Sequence, residues 1–365
     1  MKFQDEYRNR ELVQGLARAI AAEAVKLSEP VRFMEVCGTH TMAIAQFGIK
    51  SLLPDNIKLV SGPGCPVCVT PVGYIDHAIA LAAVPDTVIT TFGDLLRVPG
   101  SCSSLMAEKA KGGVDIRIVY SPLDAVKLAA EKPSATVVFL AVGFETTTPA
   151  IAAAIISAER SGLNNFMVLT SNKTIPGPMA ILSSDPELRI SGYICPAHVS
   201  TVIGSDAYLP LAEEHGVPCV VTGFEPADIM QGVLMLLKQR LSGVSKVENQ
   251  YSRAVSPEGN RRAMELTDTV FEVCDAVWRG LALIQGSGLA IREKYACFDA
   301  ARMIKVELPE PVEPSGCRCG EVLTARISPA DCPLFGGACK PENPVGACMV
   351  SSEGSCAALW RYGSR

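Results

Sequence analysis

Residues 31–47 read VRFMEV-CGTH-TMAIAQF, and this short stretch decides the fold. Its first six residues, bounded by the β-branched Val31 and Val36, predict a strand. Its last seven, rich in Ala and aliphatic residues, predict a helix. Between them Cys37-Gly38-Thr39-His40 makes a strand-to-helix turn. The same unit recurs along the chain. Strands are expected at 57–60, 87–91 and 114–120, with helices at 74–83, 104–111 and 123–130. Alternation of this kind is the pattern of crossover units and a parallel sheet. It then restarts, with strands at 136–142, 166–170, 192–195 and 218–222 and helices at 149–161 and 201–215. Gly143-Phe144-Glu145 after one strand is echoed by Gly223-Phe224-Glu225 after another.

From residue 226 the texture changes: 228–241 and 261–280 predict long helices without strand partners, and from 309 the chain is rich in Pro, Gly and Cys. A leading helix is expected before residue 27, where Leu12, Leu16, Ile20 and Val25 have roughly helical spacing. The expected fold class is α/β, with two similar parallel-sheet α/β domains and a helical, cysteine-rich iron–sulfur domain. The boundaries read as 28–130, 131–225 and 226–365, the last joined by the helix of 1–27.

Several functions are disfavoured by composition. The 365 residues carry a net charge of −5, two Trp and 6% aromatic residues. Neither a basic stripe nor a stacking platform is present, so no nucleic-acid partner is expected. The apolar runs are too short to span a bilayer, so no membrane partner is expected either. Residues 1–14 are charged throughout, unlike a secretory leader. A cytoplasmic location follows as the expectation. In a reducing compartment fourteen cysteines point to metal or redox roles rather than structural disulfides. The chain has no Gly-x-x-x-x-Gly-Lys-Ser/Thr segment, no dinucleotide fingerprint after its first strand and no Gly-x-Ser-x-Gly elbow.

Open parallel sheets bind ligands beyond the carboxyl ends of their strands, and the unusual motifs fall there. Cys37–His40 follows the first strand and Gly62-Pro63-Gly64-Cys65-Pro66-Val67-Cys68 the second. Cys37 and His40 can converge on one ligand, and thiolate with imidazole suits iron, zinc or copper; His40 can equally cap the following helix or bond a carbonyl. Cys65 and Cys68 are spaced for a small reversible disulfide, or pack as small apolar residues. Thr39, Glu145, Thr146, Thr147, Thr148 and His198 are the expected polar lining of a cleft, although threonines before Pro149 also make a good helix start. Cys102, Cys195, Cys219, Cys274 and Cys297 read as buried small residues.

Near the end, Cys317-x14-Cys332-x6-Cys339-x16-Cys356 supplies four thiolates on irregular loops, with Cys319 and Cys348 in addition. Four thiolates suit a 4Fe–4S cluster or a tetrahedral zinc, and spacing does not separate the two. Cys319 can also stand in for Cys317.

Taken together, Cys37–His40, Gly62–Cys68, the Gly143–Pro149 segment GFETTTP, Pro196-Ala197-His198 and the cysteine tail resemble the hydrogenase maturation HypD family over essentially the whole chain. The resemblance implies a scaffold for the Fe(CN)2CO group of nickel–iron hydrogenases. It implies that Cys37 binds the iron, that Cys65 and Cys68 are the redox dithiol and further iron ligands, and that Cys317, Cys332, Cys339 and Cys356 hold a 4Fe–4S cluster. A HypC-type small chaperone would share the iron, and a HypE-type donor, charged with HypF upstream, would deliver cyanide. The alternative is a general cluster-linked thiol–disulfide oxidoreductase, which has no need of Cys37 with His40.

Overall fold

The computed structural model describes residues 6–363 and contains eleven strands among them. They are β1 (Val31–Glu35), β2 (Ile57–Ser61), β3 (Thr87–Thr91), β4 (Asp115–Ile118), β5 (Thr136–Gly143), β6 (Phe166–Asn172), β7 (Gly192–Pro196), β8 (Cys219–Thr222), β9 (Val247–Asn249), β10 (Phe271–Trp278) and β11 (Ala282–Ile291). Nine of these build two parallel sheets, so the α/β reading holds, and all eight expected strands form within a few residues of their expected bounds.

Strand partnership departs from the expected division at residue 130. One sheet runs β2-β1-β7-β8-β9 and the other β4-β3-β5-β6. The chain therefore lays two strands in the first sheet, builds the whole second sheet, and returns to finish the first. In the first sheet β1 lies between β2 and β7, with Val31 opposite Ile57 and Phe33 opposite Gly192. A side chain at Gly192 would come within 3.0 Å of Leu236 and 3.2 Å of Phe33, so glycine lets β7 close against β1.

Two expected helices are corrected. Residues 261–280 were expected to form one helix, but the helix ends at Val270 and β10 begins at Phe271. β10 pairs antiparallel with β11, turning through Gly280 at φ 85°. Phe271 and Trp278 at the ends of β10 are buried, and the strand between them alternates toward solvent. Pairing with β11 satisfies its backbone where a helix would have stranded Trp278. The helix expected over 201–215 is broken. Gly204, at φ 81°, stops the helix Ala197–Ile203, and a 3-10 turn and the short helix Leu209–Glu213 follow.

The N-terminal helix Arg10–Ala24 forms as expected, capped by Asn9 and packed on the helix Pro226–Ser242. Sequence reading missed β9, β11 and the helix Pro176–Ser183. One apolar core joins the first sheet, the hairpin and the cysteine-rich tail. It contains Met34, Val36, Cys65, Cys68, Phe144, Trp278, Val322 and Cys348. Phe144 stacks on Trp278 at 5.8 Å, and the indole N–H donates to Ser287 Oγ at 2.8 Å. No helix among the described residues is long and apolar enough to cross a membrane.

Candidate functional site

The site begins where β1 ends. Cys37 has extended backbone and immediately precedes the helix Gly38–Gln46. Its N–H donates to Glu35 Oε2 at 3.1 Å, and the Thr41 hydroxyl donates to the other oxygen of the same buried carboxyl. Burial pushes Glu35 up to about 7, against the pull of its hydrogen bonds. Glu35 thus ties the two ends of the turn together and holds the direction in which Cys37 leaves the sheet.

The second loop is seated on this turn. Gly38 N–H donates to Gly64 O at 3.0 Å, and Gly62 N–H to Glu35 O at 2.7 Å. A side chain at Gly64 would strike the backbone of Val36 and Cys37, so only glycine permits the approach. Directly after Gly64, Cys65 forms a disulfide with Cys68, their Cα atoms 5.2 Å apart and both residues buried. The short spacing that suggested such a ring is therefore matched by the geometry. Burial also pushes the Cys37 thiol up to about 12, helped by the Glu353 charge and opposed by the His40 and Thr39 amides.

His40 lies fully buried, with Nε2 3.0 Å from Gly223 O and 2.9 Å from Thr222 Oγ1. A carbonyl can only accept, which assigns the proton to Nε2. Nδ1 then presents a bare lone pair, buried and without a hydrogen-bond partner. Burial lowers His40 to about 4, so the ring is neutral near pH 7. His40 therefore bonds a carbonyl, as one sequence reading had it, while its other nitrogen stays available. Phe224 packs against both imidazoles, its ring centre 4.7 Å from that of His40 and 4.2 Å from that of His198.

Glu353 completes this group, and nothing in the sequence pointed to it. The Thr39 hydroxyl donates to its Oε1 at 2.9 Å across 314 residues. A side chain at Gly38 would fall 2.7 Å from the Glu353 carbonyl oxygen. A single glutamate between two cysteines of the tail carries no spacing signal. Glu35 is marked only as a charge at the end of a strand that also carries Arg32.

The Gly143–Pro149 segment behaves differently. Thr147 and Thr148 stand at the start of the following helix without a side-chain capping bond, their hydroxyls both donating to Phe144 O at 3.1 and 3.0 Å, and Thr146 is exposed. Glu145 accepts from Ile175 N–H at 2.9 Å through Oε1, while its buried Oε2 has no partner. Burial lifts Glu145 to about 7. A carboxyl raised in the fold contributes stability that is complete below its unfolded value and lost as pH rises through about 7. Glu145→Gln should therefore leave stability near wild type at pH 4.5. At pH 8 it should gain up to about 3 kcal/mol over wild type, read by denaturant melts.

The six tail cysteines converge. Cys317, Cys319, Cys332, Cys339, Cys348 and Cys356 line one small cavity, otherwise walled by Val322, Leu334, Phe335, Gly346 and Met349. Thiol contacts run from Cys317 to Cys319 to Cys348 to Cys356. Hydrogen bonds from the Cys317 and Cys348 thiols hold Cys319 well below its usual value, with the Arg279 charge acting the same way. A donor set made only of sulfur, in an apolar pocket, fits a thiophilic iron–sulfur group. Among the described residues, no three His, Cys, Asp or Glu side chains are already arranged as ligands of one metal ion. The cavity adjoins the disulfide, since Cys68 Sγ lies 3.9 Å from Ala347 O, one residue before Cys348. Of the five remaining cysteines, Cys195 and Cys219 are buried as expected. The other three depart from the expected burial: Cys274 is half-buried, Cys102 is exposed in a loop and Cys297 is exposed in the 3-10 helix Glu293–Phe298.

The family model for HypD, described as "Hydrogenase formation hypA family", matches residues 11–363. The chain is 48% identical over 370 residues to the hydrogenase maturation factor HypD of Azotobacter vinelandii, covering 100% of this chain and 97% of that protein. It is 45% identical over 367 residues to the hydrogenase maturation factor HypD of Escherichia coli (strain K12), covering 99% of this chain and 98% of that one. It is 44% identical over 370 residues to the hydrogenase maturation factor HypD of Cupriavidus necator, covering 100% of this chain and 97% of that protein.

Proposed function

Because this chain belongs to the HypD family of hydrogenase maturation factors, we propose that it is the scaffold on which the Fe(CN)2CO group of nickel–iron hydrogenases is assembled. The observation that carries this reading is the seating of the Cys65–Cys68 loop directly on the Cys37 turn, Gly38 N–H to Gly64 O at 3.0 Å. A redox-active pair and a third, separate thiol are thereby held at one sheet edge. A general thiol–disulfide oxidoreductase would need the first and not the second.

In this proposal iron is the substrate. Cys37 gives up its proton and binds it, and the bare Nδ1 of His40 and the carboxylate of Glu353 are the neighbouring donors within the group. Glu35 keeps the turn in place from behind. Once reduced by two electrons and two protons, Cys65 and Cys68 become free thiols that can add to the iron's ligand set. A HypC-type chaperone shares the iron at this edge, and a HypE-type donor, charged by HypF, brings cyanide to it.

Cys317, Cys332, Cys339 and Cys356 would hold a 4Fe–4S cluster. Such a group supplies single electrons. Burial of the cavity and of the neighbouring disulfide keeps water from both. Co-purification without oxygen alongside the HypC-type chaperone tests the proposal by infrared spectroscopy. Cyanide and carbonyl stretches are expected on the complex, and their absence from a complex that contains iron would overturn it.

The dithiol gives a separate expectation. Differential alkylation across a series of redox buffers should show Cys65 and Cys68 changing state together, in one two-electron step. Independent alkylation of the two, with the fold intact, would remove them from the electron path.

A further inference from the structure

Arg279 lies in the turn of the β10–β11 hairpin, and its side chain is one of the most deeply buried charges in the protein, with the residue 4% exposed. Its N–H donates at 2.9 Å to Val69 O, one residue beyond Cys68. On the other side the hairpin tip meets the cysteine tail back to back. A side chain at Gly320 would fall 2.7 Å from Gly280 Cα, and Gly320 follows Cys319 directly. The hairpin tip is thus wedged between the disulfide loop and the sulfur-lined cavity.

All three guanidinium nitrogens are buried and make no hydrogen bond. The nearest carboxylate is Glu313, with Oε1 3.4 Å from Nε on a side chain that is 58% exposed. A guanidinium keeps its charge at physiological pH and offers five donors. Burying it without a partner is strongly unfavourable unless negative charge lies close by. Ligating thiolates would bring that charge, since a thiol loses its proton when it binds metal.

We propose that Arg279 is the built-in counter-charge of the sulfur cavity and sets how readily that cavity accepts an electron on the path to Cys65–Cys68. This rests on the reading of the cavity as a cluster site. A fixed positive charge in a low-dielectric setting favours the reduced, more negative state. Arg279 is accordingly a positioning residue: it acts on the potential and touches no substrate.

The test uses the full chain, purified anaerobically and reconstituted with iron and sulfide, with reduction followed by electron paramagnetic resonance. Arg279→Gln should move the one-electron equilibrium at least tenfold toward the oxidised form, about 59 mV more negative. Arg279→Lys, which keeps the charge, should stay within about threefold of wild type. In metal-free protein the sign reverses, and Arg279→Gln should melt no lower than wild type because an uncompensated charge is gone. Failure of a folded Arg279→Gln to load, with recovery in Arg279→Lys, would equally support the counter-charge. If neither variant folds, Glu313→Gln, on an exposed side chain, decides. Removing that carboxylate should move the equilibrium at least threefold toward the reduced form, and no movement would overturn the proposal. An unchanged potential in Arg279→Gln, or equal shifts in both arginine variants, would also overturn it and leave the cluster reading intact. A wild-type chain that takes up no iron and sulfide would overturn both.

Discussion

Cys37→Ala is expected to give a folded protein whose complex with the HypC-type chaperone shows no cyanide or carbonyl stretches. The fold should survive because the sulfur carries little of the local architecture. The turn is held by Glu35, which bonds the Cys37 N–H and the Thr41 hydroxyl, and by the Gly38–Gly64 backbone bond. None of these uses Sγ. Replacing a buried thiol by a methyl should cost about 1–2 kcal/mol, visible as a small shift of the denaturation midpoint. Removing the thiolate from iron deletes a bond that water, a harder ligand, replaces poorly. His40 and Glu353 would remain in place, so partial retention of iron without the diatomic ligands is compatible with the assignment. Intact infrared bands in the Cys37→Ala complex would refute it, whatever hydrogenase activity was recorded.

Cys332→Ala and Cys339→Ala should each remove the brown chromophore, reducing content from about four irons and four sulfides per chain to near zero. Each supplies a sulfur to the same cavity, and neither has another cysteine beside it in the sequence that could take over. Cys317 and Cys319 can substitute for one another in principle, since their thiols touch. With Cys317 as the ligand, Cys319→Ala retains the cluster and Cys317→Ala loses it. The converse result would move the assignment by two residues and leave the cluster standing. Stoichiometric zinc without sulfide in the wild-type chain would sink it. In the cluster-free variants the Cys65–Cys68 disulfide should still form, because its loop is held by Gly62, Gly64 and the β1 turn rather than by the tail.

These expectations rest on unequal amounts of sequence information. The Cys37 turn and the Cys65–Cys68 ring were legible because each is a short-range pattern, a few residues whose spacing limits what they can do together. The threonines after Glu145 were legible only as alternatives; Thr147 and Thr148 stand at the helix start with their hydroxyls on Phe144 O. The run 261–280 was misread because Arg261–Val270 has a strong helical period that masks the strand beginning at Phe271. Only pairing with β11, which lies further along the chain, makes that strand worth forming.

Local preference along the chain determined where strands, turns and helices lie, since dihedral bias and burial period act over a few residues. The same local chemistry marked the thiols. Which strands pair was decided by tertiary structure. β1 takes β7 rather than β3 as its second neighbour because Gly192 admits close packing that no local pattern reports. The same holds for Glu353 beside Thr39 and Arg279 beside the cysteine cavity. Each is a lone charged residue with no spacing to read, and its meaning comes from contacts across as many as 314 residues, formed only when the apolar core closes.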